Sequence, residues 1–164
     1  MGACQKGPEY KLTLTWRIPM DIDGKLVVPE ASFVPECLGE REYPTVIVEV
    51  AFSEPDAYLH DKVNFWLRKS NGAVQTVIII RVKAGDKRKV VLQRWCMNNG
   101  AIVMEQETVV EKEYGKTRPP QAEFRVTNDP FVIPFDKVYL RQRTRSARDI
   151  RITGEGLEEL VGGR

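Results

Sequence analysis

The chain is poor in the side chains that most protein chemistry relies on. It has one histidine, His60, in 164 residues. Histidine-ligated zinc and Ser-His nucleophilic catalysis both need imidazoles placed with partners, so both classes recede. A lone histidine within a helical stretch reads as a surface residue rather than a ligand. The three cysteines, Cys4, Cys37 and Cys96, are far apart and odd in number. They form neither a disulfide framework nor a zinc motif, which points to a reducing compartment.

Long apolar runs are also missing. No stretch approaches a membrane span, and the N-terminus has no signal-peptide core. Met1-Gly-Ala-Cys4 begins like an acylation signal, but Lys6 stands where that signal needs Ser or Thr. No internal repeat or low-complexity segment occurs. The formal charge of +2 gives no whole-molecule field for an anionic partner. The expectation is a cytoplasmic or nuclear protein with no membrane association.

What is present is a chain of 164 residues, enough for one domain with a sizeable core. The clearest unit runs from Tyr43 to Val82. Pro44-Thr-Val-Ile-Val-Glu-Val-Ala-Phe52 is a β-branched, apolar run whose only charge is Glu49. Such a run suits an inner strand covered on both faces. A carboxylate there is costly unless a cation or hydrogen-bond donors meet it. Ser53-Glu-Pro-Asp56 reads as a helix start, with Ser53 as cap and Pro55 in the first turn. The helix should run to about Ser70 and stop at Asn71-Gly72. Gln75 to Val82 then reads as a second buried strand, parallel to the first across a right-handed crossover.

Before this unit, Lys11 to Ile18 alternates as a half-buried strand with Leu12, Leu14 and Trp16 on one side. Asp21-Ile-Asp-Gly24 is a tight turn, and Lys25 to Phe33 a returning strand interrupted at Pro29 and Glu30. Val34 to Tyr43 reads as a polar loop. After the unit, Ala84 to Lys87 turns into a strand over Lys89 to Met97, and Asn98-Asn-Gly100 closes a hairpin onto Ala101 to Val110. Lys112 to Gln121 reads as an exposed loop, and Glu123 to Thr127 and Phe131 to Leu140 as short strands. Ile150 to Val161 reads as a short strand and one helical turn. The expected architecture is a β-rich α/β fold, a mixed sheet with one main crossover helix and extra β-hairpins. It is expected to be a single domain over 1–164, with its core at 10–112 and a basic C-terminal extension at 131–164.

At 100° per residue, Leu59, Val63, Trp66 and Ser70 share one helix face, with Lys62 at its margin. A long stem there can lie on apolar surface while its ammonium reaches toward the sheet. Glu49 and Lys62 are therefore either a catalytic pair or a structural ion pair.

Pro29-Glu-Ala-Ser-Phe33, the Val-Glu-Val strand around Glu49, and a helix holding Lys62 and Trp66 together resemble the PD-(D/E)XK nuclease superfamily. The closer likeness is to its restriction-endonuclease-like bacterial branch, with divergent fungal members, in which the lysine has moved to the following helix. That resemblance implies a restriction-endonuclease-like sheet and a metal-dependent nuclease hydrolysing phosphodiester bonds. It implies Glu30, Glu49 and Lys62 as catalytic residues, with Mg2+ or Mn2+ held by Glu30, Glu49 and the backbone carbonyl of Val50. Two departures bear on activity: Glu30 replaces the commoner Asp, and Ala51 holds the usual lysine position. The alternative is a catalytically inactive nuclease-fold module that binds nucleic acid or protein, or an interaction domain in which Glu49 and Lys62 simply pair. Nucleic acid, DNA ahead of RNA, would meet Arg141, Arg143, Arg145 and Arg148 in a basic run that extends from Lys137 to Arg151; Lys83, Lys87, Arg88 and Lys89 form a second basic group. Cutting both strands of a duplex would favour a homodimer.

Overall fold

The computed structural model describes residues 11–83, 88–114, 122–145 and 147–162. Strand β1 (Leu12–Trp16) is followed by a small hairpin, β2 (Met20–Ile22) and β3 (Lys25–Val27), then β4 (Ala31–Pro35) and β5 (Val46–Ala51). Helix α1 (Asp56–Lys69) crosses to β6 (Thr76–Lys83), and three further strands follow: β7 (Arg88–Asn98), β8 (Ala101–Tyr114) and β9 (Ala122–Thr127). The chain ends with β10 (Phe131–Ile133), α2 (Phe135–Tyr139), β11 (Ile150–Ile152) and α3 (Gly154–Gly162).

Seven strands form one mixed sheet in the order β1-β4-β5-β6-β7-β8-β9. Its one parallel pairing is β5 with β6, as the strand–helix–strand pattern requires. The period of two along β5 divides the core. Ile47 and Ala51 face α1, where Leu59, Val63, Trp66 and Leu67 meet Val77 and Ile79 of β6. Val46 and Val48 face the other way. Glu49 falls on the α1 side, in phase with Ile47 and Ala51.

The turns follow their residue chemistry. Asn99 and Gly100 both take positive φ (48° and 78°) between β7 and β8, as a two-residue hairpin turn of the mirror-image type needs. Asn71 and Gly72 end α1 with φ of 51° and 79°.

Several local expectations need correction. The N-cap of α1 is Pro55, with no side-chain cap. Glu54 rather than Ser53 serves the turn before it, accepting from the backbone N–H groups of Phe52 (2.7 Å) and Ser53 (3.1 Å). Bonds from the N–H groups of Glu54 itself, Phe52 and Ser53 hold its carboxyl below its ordinary value. The interrupted strand over 25–33 is two strands in different sheets, because β3 pairs with β2 whereas β4 pairs with β1 and β5. Phe131 to Leu140 is a three-residue strand plus α2, and Lys112 to Tyr114 continue β8. The turn at 84–87 and the rest of the expected loop, 115–121, lie outside the described residues.

The largest correction concerns the C-terminal segment. It is a layer of the core, not an appendage. Phe131, Ile133, Phe135, Val138, Tyr139, Ala147 and Leu157 are buried against Val46, Ile78, Val90, Leu92 and Val110 on the sheet face away from α1.

Cys96 of β7 is fully buried, its sulfur 3.7 Å from Thr76 Oγ1. Burial pushes its thiol pKa up. Because the thiolate is the reactive form, iodoacetamide should leave Cys96 unmodified in native protein and alkylate it after unfolding. Peptide mass spectrometry checks this, and native labelling of Cys96 ahead of the partly exposed Cys37 would contradict the packing.

Candidate functional site

The buried acid has two partners on α1. Trp66 donates its indole N–H to Glu49 Oε1 at 2.8 Å, and Lys62 Nζ lies 3.1 Å from Oε2. Lys62 and Trp66 are four residues apart and so stack on one side of the helix. The Glu49 side chain is 4% exposed and that of Lys62 27%, so the carboxylate is sealed while the ammonium reaches water. The Lys62 ammonium also sits 5.3 Å from the ring centroid of Tyr58. These groups border a recess of ≈ 390 Å³ that Lys25, Asp61 and Phe65 also line. The strand thus tolerates its acid through one cation and one indole donor.

Glu30 has a different partner. Arg17, just past β1, holds it in a two-bond fork, Nε to Oε2 at 2.9 Å and Nη2 to Oε1 at 3.0 Å. Glu30 lines a second cavity with Ala31, Val48 and Val50, on the sheet face away from α1. The backbone is closer to the expected arrangement than the side chains are. Ala31 pairs with Val48, so Glu30, in the bend before β4, stands one position on, across from Glu49. The structure brings Glu49 and Lys62 together and gives Glu30 to Arg17. Val50 pairs in register with Ile80 and turns its side chain to the second cavity.

As they stand, these residues do not fit a divalent cation. Each oxygen of Glu30 meets the guanidinium, and each oxygen of Glu49 already accepts a hydrogen bond, one from an ammonium that would repel the ion. Among the described residues, no three His, Cys, Asp or Glu side chains gather as a ligand set.

Ala51, two residues after Glu49, is 2% exposed and pairs in register with Arg81. Arg81 is committed elsewhere, to the Asp56 carboxylate and the Glu54 carbonyl. His60 meets Trp95 edge-on, with centroids 4.8 Å apart, as a helix-surface packing residue.

The basic run lies on the C-terminal layer, across the sheet from Lys62. Arg141 packs 5.6 Å from the Phe135 ring centroid, and Arg143 pairs with Asp149 at 3.3 Å. Asp149 in turn accepts from the Phe135 N–H at 3.0 Å, at the start of α2. Arg145, Arg148 and Arg151 are exposed. In the other basic group, Lys83 and Arg88 are exposed, Lys89 pairs with Glu111 at 2.6 Å, and Lys87 lies outside the described residues. Among the described residues, no helix is long and apolar enough to cross a membrane.

Sequence reasoning placed Glu49, Lys62 and Trp66 on facing elements but missed the indole bond. A tryptophan one turn beyond the lysine on the buried face was the available signal. Arg17 left none, because its meeting with Glu30 depends on β1 pairing with β4.

Compared with protein-family models, with curated proteins and with solved structures, the chain gives no match.

Proposed function

We propose that the chain is a nuclease-fold module that binds nucleic acid without cutting it. One observation carries this reading: both oxygens of Glu30 are held in a fork by Arg17, while those of Glu49 are held by Lys62 and Trp66. One carboxylate with a cation already on it is a weak holder of a divalent ion. Ala51 in place of the usual lysine supports the same conclusion. Binding then falls to Arg145, Arg148 and Arg151, with Arg141 and Arg143 ordering the segment that carries them. DNA is favoured over RNA, and the case for a homodimer, which came from double-strand cutting, does not extend to a module that does not cut.

A metal-dependent nuclease is the second reading, with Glu30, Glu49 and the Val50 carbonyl as the ligands of Mg2+ or Mn2+ and Lys62 beside them. The β4–β5 register favours it by setting Glu30 across from Glu49. The Arg17–Glu30 pair is also exposed (side chains 70% and 35%), and such pairs are worth only about 0–1 kcal/mol. Arg17 could therefore be displaced at little cost.

One experiment separates the readings. Labelled DNA should bind in anisotropy titrations and weaken about fortyfold when salt is raised fourfold, as three phosphate contacts require. Arg145→Glu with Arg148→Glu should abolish that binding, and no cleavage should appear with Mg2+ or Mn2+. Metal-dependent cutting that disappears in Glu49→Ala protein would overturn the non-cutting reading in favour of the nuclease.

A further inference from the structure

Between the C-terminal layer and the sheet face away from α1 lies a cavity of ≈ 340 Å³. Val46, Leu92, Phe131 and Ile133, all buried, form its floor. Leu14 and Trp16 stand at its mouth, 42% and 69% exposed. Among the described residues, Glu30 is the only charged one lining it, and Arg17 takes both of its carboxylate oxygens.

Protein interiors leave few voids larger than a water molecule, so a space of this size needs an occupant or an explanation. Water is a poor occupant, because an ordered water needs two to four polar partners, and this lining offers none beyond an acid already engaged. An inserted peptide would bring backbone amides that find no partner, a costly burial. An apolar molecule meets neither objection. An apolar cavity of roughly 150 Å³ is enough to hold benzene, and ligand pockets start at about 300 Å³.

We propose that this cavity is a binding site for one uncharged, apolar small molecule, aliphatic or aromatic, entering past Leu14 and Trp16. The site lies across the sheet from Glu49 and Lys62, so the proposal is independent of whether the chain binds or cuts nucleic acid.

The test is a fluorescence titration of the full chain with N-phenyl-1-naphthylamine, a neutral apolar probe, run beside sedimentation analysis. Saturable binding of one probe per chain is expected. Val48→Trp, which fills the cavity, and Leu14→Glu, which places a charge at its mouth, should each weaken binding at least tenfold. Leu14 is partly exposed, so Leu14→Glu keeps the test valid if Val48→Trp fails to fold. Absence of saturable binding, or equal affinity in Leu14→Glu protein, would overturn the proposal. So would a dimer that Leu14→Glu dissociates and the probe does not, since a second copy would then cover the mouth.

Discussion

Replacing Lys62 with methionine is expected to lower the unfolding free energy by about 3 kcal/mol in a urea titration. The methionine keeps most of the apolar stem but removes the ammonium 3.1 Å from Glu49. The carboxylate then remains in the sheet with only the Trp66 indole bond. Breaking one side of a buried pair typically costs about 3–5 kcal/mol because the remaining charge is stranded. Water reaches Lys62, whose side chain is 27% exposed, so the lower end of that range applies. Glu49→Gln should cost less, about 1–2 kcal/mol. Its amide oxygen can still accept from Trp66, and the released ammonium can turn to solvent. The double variant should show a coupling of at least about 1 kcal/mol, as expected for residues in direct contact. The opposite sign would carry a different meaning. If Glu49→Gln were more stable than the parent, the carboxylate would be under strain without a stronger cation, as a metal-site acid is, and the nuclease reading would gain.

The part of the fold that local pattern controls was legible in the sequence. The apolar run around Glu49, the helical step from Leu59 to Trp66 and the Asn-Gly turns each specify their element within a few residues. Together they specify β5, α1, β6 and the β7–β8 hairpin, and with them the meeting of Glu49 and Lys62. What stayed hidden depends on contacts between distant segments. Glu30 and Arg17 meet because β1 pairs with β4, and that pairing is not written in the alternation of either strand. The stretch after Phe131 misled for another reason. Its arginines suggested a basic extension, while most of its apolar residues are divided among a three-residue strand, a five-residue helix and another three-residue strand. None of these is long enough to show a period, so the core layer they form becomes visible only once packed.

That layer supplies the second large effect. Phe135→Ala should lower stability by about 3–5 kcal/mol, the usual range for removing a buried aromatic ring. Phe135 is 1% exposed and stacks on Tyr139 at 4.7 Å between centroids. Arg141 packs near the same ring, 5.6 Å from its centroid. A change in the midpoint of a guanidinium titration at constant slope would measure the loss. Two controls define its meaning. Arg145→Ala, at an exposed position of the same segment, should shift stability by less than about 0.5 kcal/mol. A chain ending after Asn128 should fail to fold, because Val46, Ile78, Leu92 and Val110 would lose their cover. If Phe135→Ala were as mild as Arg145→Ala and the shortened chain folded, the segment would be an appendage after all. The cavity enclosed between it and the sheet would then have no wall, so this outcome would also remove the basis for the apolar ligand site.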